Sequence, residues 1–240
     1  MIPLRDANPT RRTPYVMLAI VIACFVAFAW ELGLMASGGE TALDDFITKW
    51  GVVPADLSAA WNHGDYVSRE TATLVTSQFL HGSWLHLLGN MLYLWIFGNN
   101  VEDRFGHVGF RLFYLVGGAL AGVSQVVVDP TSTVPTIGAS GAIAATLGAY
   151  FVLFPRARVT SLVFLGFFYQ LIDVPAVIVL GFWFVLQLID GLTSLGVVQG
   201  GGGVAFFAHI GGFVAGAVLA RVIVGVAGWS REPASPRGVG

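Results

Sequence analysis

Charged side chains are scarce in this sequence: Asp, Glu, Lys and Arg make up only 11% of its 240 residues. Soluble domains carry about 25%. Hydrophobic residues account for 55% of the chain and the mean hydropathy is +0.76, so the composition predicts a membrane protein. The formal net charge is −2 and no stretch is strongly basic, which argues against nucleic acid as a partner.

Cysteine is nearly absent, and the common metal-binding patterns are missing as well. Cys24 is the single cysteine and lies within an apolar run, which excludes an internal disulfide and a cysteine-ligated metal. No His-Glu-x-x-His run is present, and the glycines at 200–203 are not followed by the Gly-Lys-Ser or Gly-Lys-Thr of a phosphate-binding loop. We therefore expect neither a metal nor a cofactor.

A series of apolar segments dominates the chain. Six of them predict membrane helices, at residues 15–35, 83–97, 110–128, 138–154, 175–192 and 204–226. The first is longer than the apolar core of a signal peptide, so we expect it to be retained. The fold class that follows is an all-α, six-helix membrane domain over residues 14–228.

The remaining segments are predicted to connect or flank these helices. Residues 1–13 read as a short polar tail, 36–82 as a long first loop, and 229–240 as a disordered tail. The apolar segment 159–172 is too short to cross a bilayer, which predicts an interfacial stretch or a hairpin.

The basic residues predict an orientation. Six helices place both tails on one side, and of the 12 Lys and Arg residues only Lys49 and Arg69 then lie on the other. By the positive-inside rule both tails are cytoplasmic, and the start of the fourth helix faces away from the cytoplasm. We expect a multi-pass protein of a bacterial inner membrane, with the lipid bilayer as its surroundings.

Several polar side chains fall within the predicted membrane helices, where polar groups are costly. His81, His86 and Asn90 lie in the second helix, and the last two, four residues apart, share one helix face. Ser140 begins the fourth helix and His209 lies in the sixth. Because of this cost, we expect these residues to serve either in packing between helices or in catalytic chemistry.

Small residues accompany this polar set. Gly138 and Gly141 flank Ser140, and Gly212 and Gly216 follow the histidine of the sixth helix at a spacing that lets helices approach closely. One interpretation is therefore that the serine and the histidines are packing contacts between helices. Each residue taken singly is well explained in this way.

Taken together, the polar residues favour hydrolytic chemistry. A serine hydroxyl is a weak nucleophile unless a neighbouring base accepts its proton, and His209 could act as that base for Ser140. The oxyanion of a tetrahedral intermediate needs hydrogen-bond donors, which Asn90, His86 and the free backbone N–H at the start of a helix can supply.

Four sequence elements then identify a family. They are the His81/His86/Asn90 run, Glu102-Asp103-Arg104-Phe105-Gly106, Gly138-Ala139-Ser140-Gly141, and Ala208-His209 followed by Gly212 and Gly216. With these elements in order, the chain resembles the rhomboid intramembrane serine proteases over residues 14–228.

The resemblance implies a function and roles for the site residues. It implies a Ser140–His209 dyad with no third acid, an oxyanion site built by Asn90, His86 and the Ser140 amide, and a supporting hydrogen bond from His81. Glu102 and Arg104 match a motif that is structural. The expected activity is cleavage of transmembrane protein substrates, within or next to their membrane segments, through an acyl-enzyme.

Two positions depart from the family pattern. Ala144 stands where some relatives have a tyrosine that stacks on the catalytic histidine, so another residue must orient His209. Ser68 precedes Arg69 where some members have a Trp-Arg pair. These departures concern the support of the histidine and the folding of the first loop.

Other functions are alternatives. Asp173 and Asp190 are expected at opposite ends of the fifth helix, which disfavours a paired-aspartate protease. Ala142 replaces the last glycine of a hydrolase nucleophile elbow, and no sheet is predicted. A catalytically inactive relative that binds transmembrane segments of clients, or a channel, would keep its function without a reactive Ser140.

Overall fold

The computed structural model describes residues 2–165, 168–194 and 205–226. The glycine loop predicted at 200–203 and the tail predicted at 229–240 lie outside these residues. The described helices are α1 (Tyr15–Trp50), α2 (Pro54–Asn62), α3 (Arg69–Thr76), α4 (Trp84–Tyr93), α5 (Asn99–Val128), α6 (Ser140–Leu153), α7 (Ala176–Ser194) and α8 (Phe206–Val226). A π-helical turn, Leu94–Gly98, joins α4 to α5 without a break.

Among the described residues, four helical stretches are long and apolar enough to cross a membrane: Tyr15–Trp50, Trp84–Val128, Ala176–Ser194 and Phe206–Gly225. The second has 45 residues, or about 68 Å of helix, which is twice the thickness of a bilayer core. It breaks at Gly106, whose φ is +72°. Gln78 Nε2, just before α4, donates to the Leu115 carbonyl at 3.1 Å, so the chain returns to its starting side after this break.

These helices confirm the predicted polytopic, mostly helical fold. The 45-residue stretch holds the predicted second and third helices, and α1, α6, α7 and α8 correspond to the other four. Helix α6 is shorter, at 14 residues, and every residue from 141 to 150 is buried. It is the central helix of the bundle, and Ser140 is its first residue.

The segment predicted as a long first loop is mostly helical. Helix α1 continues past a break at Gly39, where φ is +70°, and α2 and α3 follow. The Ser68 side chain caps α3 by accepting the Thr71 N–H at 3.2 Å. Short helices of this kind depend on capping and on packing against the bundle rather than on a long apolar run. Their sequence signal is therefore weak.

A small antiparallel sheet was not predicted. Its strands are β1 (Ile2–Asp6), β2 (Arg158–Leu165) and β3 (Phe168–Pro175), in the order β1-β2-β3. Strands β2 and β3 form a hairpin, which is one of the two predictions for 159–172. Strand β1 lies within the predicted tail and adds to the free edge of this hairpin, pairing Ile2 with Leu162 and Asp6 with Val159.

At the arginine-rich end of the bundle, the carboxylates of Asp6 and Glu102 accept hydrogen bonds from distant segments of the chain. Asp6 accepts hydrogen bonds from Asn100 Nδ2 at 2.6 Å and from the Tyr150 hydroxyl at 2.8 Å. Glu102 is buried and accepts the backbone N–H groups of Val16 at 2.9 Å and Met17 at 2.7 Å. These N–H groups lack partners within α1, so Glu102 caps the first membrane helix.

Candidate active site

A turn that requires glycine sets Ser140 at the start of α6. Gly138 has φ +126°. A Cβ at this position would lie 2.7 Å from Nε2 of the His86 ring. Only glycine fits this position without strain. The turn is fixed by the Gly138 N–H, which donates to the Ser77 carbonyl at 2.9 Å. It is also fixed by paired backbone bonds between Val52 and Thr136, at 3.0 and 2.8 Å.

Ser140 and His209 form a hydrogen-bonded pair between α6 and α8. The Ser140 hydroxyl lies 2.8 Å from His209 Nε2. On the other side of the ring, Nδ1 lies 2.7 Å from the side-chain oxygen of Gln187 in α7. An amide oxygen only accepts, so Nδ1 donates and Nε2 is left free to accept the serine proton.

Close helix packing brings these two residues together. A Cβ on Gly216 of α8 would overlap the Ala145 carbonyl of α6, and one on Gly212 would overlap the Gly141 carbonyl. A Cβ on Gly141 would lie 2.7 Å from the Cβ of Ala121 in α5. Because these positions lack side chains, the backbones of α6 and α8 touch, and the Ala121 methyl group of α5 packs against Gly141. This contact holds His209 beside Ser140.

Helix α4 carries two side chains that can donate hydrogen bonds, His86 and Asn90. Ser83 caps this helix by accepting the His86 N–H at 3.2 Å. The His86 ring lies against the Gly138 backbone, and Asn90 follows one turn later on the same face. Asn90 is buried, and its Nδ2 has no hydrogen-bond partner among the described residues. A buried amide without a partner is costly, so this donor is available to a substrate atom.

The contacts of His81 are with α1 and with the start of α4 rather than with Ser140. Its Nδ1 donates to the Phe79 carbonyl at 3.1 Å, and its ring meets that of His86 edge-on at 5.1 Å. Its backbone N–H donates to the carboxylate of Glu31, a buried residue of α1, at 3.2 and 3.3 Å. His81 therefore ties α1 to the start of α4.

A cavity of about 20 Å³ opens beside Ser140, which is room for about one water molecule. Small residues line most of it, including Gly118, Gly122, Ala205 and Ala208. Within the described ranges, no three His, Cys, Asp or Glu side chains converge on a point that could hold a metal ion.

A family model described as the rhomboid domain matches residues 68–226, which is more than half of the chain. The chain belongs to the rhomboid family. The matched segment holds each of the residues predicted for the site, from His81 to Gly216, and the resemblance derived from the sequence is thereby confirmed.

Curated rhomboid proteins from bacteria, plants and fungi are similar to this chain. The rhomboid protease GluP of Bacillus subtilis (strain 168) is 36% identical over 128 residues, covering 53% of this chain and 24% of that protein. RHOMBOID-like protein 12, mitochondrial, of Arabidopsis thaliana is 31% identical over 171 residues, covering 64% and 47%. Rhomboid protein 1, mitochondrial, of Saccharomyces cerevisiae is 30% identical over 156 residues, covering 63% and 41%. This rhomboid chain spans less than half the length of each of these relatives.

In this rhomboid, two residues of α7 that the sequence did not single out, Trp183 and Gln187, lie beside His209. Ala144 offers no ring, and Trp183 of α7 lies instead with its ring 6.0 Å from that of His209. Gln187, four residues later on the same face, meets Nδ1. A glutamine inside an apolar span was the signal that could have found it, since polar groups at membrane depth are rare. Glu31 carried the same signal in α1.

Proposed function

We propose that this chain is an intramembrane serine endopeptidase that cleaves peptide bonds within or next to transmembrane segments through a Ser140–His209 dyad. The observation that carries the proposal is the 2.8 Å contact between Ser140 Oγ and His209 Nε2. It is supported by membership in a family whose members include the Bacillus subtilis rhomboid protease GluP. The His86 ring, which lies against the backbone of Gly138 two residues before Ser140, gives further support.

The first half of the reaction forms an acyl-enzyme. His209 Nε2 takes the hydroxyl proton as Ser140 Oγ attacks the carbonyl carbon of the scissile bond. The negative charge that develops on the carbonyl oxygen is held by the Asn90 amide, the His86 ring N–H and the Ser140 backbone N–H. When the intermediate collapses, the C–N bond breaks and His209 gives its proton to the leaving amine.

The second half releases the enzyme. A water molecule attacks the acyl carbon while His209 accepts one of its protons, the same donors hold the second oxyanion, and Ser140 recovers its proton. Water must therefore reach Ser140 from one face of the membrane, and the small cavity beside it is the place for it. A helical substrate hides its carbonyls in i→i−4 bonds, so cleavage requires local unwinding.

Orientation and location follow the basic residues. We place both chain ends in the cytoplasm and the start of α6 on the extracytoplasmic side, as the positive-inside rule favours, in a bacterial inner membrane. The mitochondrial location in the names of two relatives belongs to those proteins.

Cleavage of a single-span membrane protein by the purified chain in liposomes tests the proposal. We expect cleavage by the parent and none above background by Ser140→Ala. Ser124→Ala is the matched control, because Ser124 lies in the neighbouring membrane helix α5 with its hydroxyl bonded to the Leu120 carbonyl at 2.8 Å. Cleavage by Ser140→Ala at the parent rate would overturn the proposal. Binding of the substrate without cleavage by the parent would favour an inactive, client-binding rhomboid.

A further inference from the structure

Both ring nitrogens of His209 are used by side chains from other helices. Nε2 meets Ser140 Oγ of α6 at 2.8 Å, and Nδ1 meets Gln187 Oε1 of α7 at 2.7 Å. The Trp183 ring, one turn before Gln187, lies 6.0 Å from the imidazole. Helix α7 therefore presents one face, with a ring and an amide, to the histidine.

We propose, on the basis of the function proposed above, that Gln187 is the positioning residue that selects the tautomer of His209. A neutral imidazole carries a single ring proton. Because the Gln187 oxygen can only accept, it keeps that proton on Nδ1 and leaves the Nε2 lone pair directed at Ser140. In the other tautomer Nε2 would carry the proton and could not accept the one from serine.

The same contact serves the charged form of His209. Once the histidine has taken the serine proton, both nitrogens carry hydrogen, and the Gln187 oxygen still accepts from Nδ1. The amide thus occupies the position that a carboxylate holds in a Ser-His-Asp triad. A neutral amide costs less at membrane depth than a carboxylate, which is a physical reason for an amide here.

Few other groups act on His209 within the described part of the chain. From α4, the His86 ring lies against the Gly138 backbone, two residues before Ser140. From α6, Ser140 is the hydrogen-bond partner, and on α7 the exposed Asp190 lies three residues beyond Gln187. The Nδ1 contact of His209 is therefore the one that a change at Gln187 removes.

Two substitutions separate hydrogen bonding from packing. Gln187→Met keeps the length of the side chain and removes the acceptor, whereas Gln187→Glu keeps an acceptor oxygen and adds charge. The control is Leu186→Met, the same new residue at the adjacent, exposed position of α7. Each variant is assayed for kcat and KM on a transmembrane substrate over a range of pH, and for the rate at which a fluorophosphonate labels Ser140.

Gln187→Met is expected to lower kcat by about 10–100-fold, since general-base catalysis contributes about 10²–10⁴-fold and the base is only misdirected. KM should change little, because a positioning residue acts through His209 rather than through substrate binding. Gln187→Glu should recover most of kcat and move the acidic limb of the pH–rate profile to higher pH, since a nearby carboxylate favours the imidazolium. Leu186→Met should match the parent.

The proposal is overturned if Gln187→Met keeps the kcat of the parent, or if Gln187→Glu loses as much activity as Gln187→Met. Labelling by the fluorophosphonate needs no peptide substrate, so it reads the Ser140–His209 pair directly. If the labelling rate of Gln187→Met is unchanged while labelling still requires Ser140, the role of Gln187 is wrong but the proposed function stands. If cleavage survives in Ser140→Ala, the proposed function itself is wrong.

Discussion

His209 Nε2 lies 2.8 Å from Ser140 Oγ, although the two residues are 69 positions apart and belong to different helices. The contact depends on backbone proximity between α6 and α8, where glycines remove the side chains that would separate them. The same small residues that a packing interpretation explains are thus the ones that bring a nucleophile and a base together. Packing and chemistry are two aspects of one arrangement.

Asn90 is predicted to stabilise the oxyanion, because its buried Nδ2 has no hydrogen-bond partner among the described residues and lies on the face of α4 that also carries His86. Asn90→Ala should lower kcat by about 10²–10³-fold with KM little changed, since the bond forms in the transition state. Asn90→Asp, of nearly equal shape, should lose as much because it offers no donor. Asn62→Ala, at the exposed end of α2, is the control. Full kcat in Asn90→Asp would exclude this role.

Gly216 is predicted to set the distance between α8 and α6. Gly216→Ala should lower the free energy of unfolding by about 1–3 kcal/mol, because the added Cβ overlaps the Ala145 carbonyl. For a chain of this size that is a fall in Tm of about 2–4 °C per kcal/mol. Gly225→Ala is the control in the same helix: its added Cβ would have no neighbouring atom within 4 Å outside the local helix backbone, so Tm should be unchanged. Equal Tm values for the two variants would contradict the predicted contact.

Asp6 is predicted to make stability depend on pH. Burial raises the pKa of Asp6 from 3.8 to about 6, more than the hydrogen bonds from Tyr150 and Asn100 lower it. The folded state then holds a proton that the unfolded state releases, so stability is highest below about pH 4 and falls as pH rises to about 6.

Asp6→Asn should remove this decline, with an effect on the order of 1 kcal/mol, or about 2–4 °C in Tm. Thermal unfolding of the purified protein between pH 4 and pH 7 measures it, and Asp65→Asn, at an exposed loop position, is the control. The same pH dependence in Asp6→Asn as in the parent would show that Asp6 does not titrate in this window.

Sequence patterns predicted most of the helical fold, because long apolar runs in lipid have few alternatives to a helix. They also picked out Ser140, His209, His86 and Asn90, since polar residues at membrane depth are rare enough to be noticed. The roles of these four residues remain predictions. The structure adds the 2.8 Å distance between Ser140 Oγ and His209 Nε2, on which the proposed dyad rests.

The parts that were missed depend on contacts between distant segments. Strand β1 is five residues long and forms only because β2 offers a free edge, which no local pattern reveals. Gln187 and Glu31 were visible as polar residues in apolar spans, yet their partners, His209 and the backbone of His81, come from other elements. Pairings of this kind are set by the assembled bundle.

Covalent labelling of the purified protein by a fluorophosphonate, read by mass spectrometry, tests the central claim most directly. We expect one adduct on the parent, on the peptide that carries Ser140, no adduct on Ser140→Ala, and slow labelling of His209→Ala. An adduct on another residue, or cleavage of a membrane substrate by a protein whose Ser140 does not react, would contradict the account.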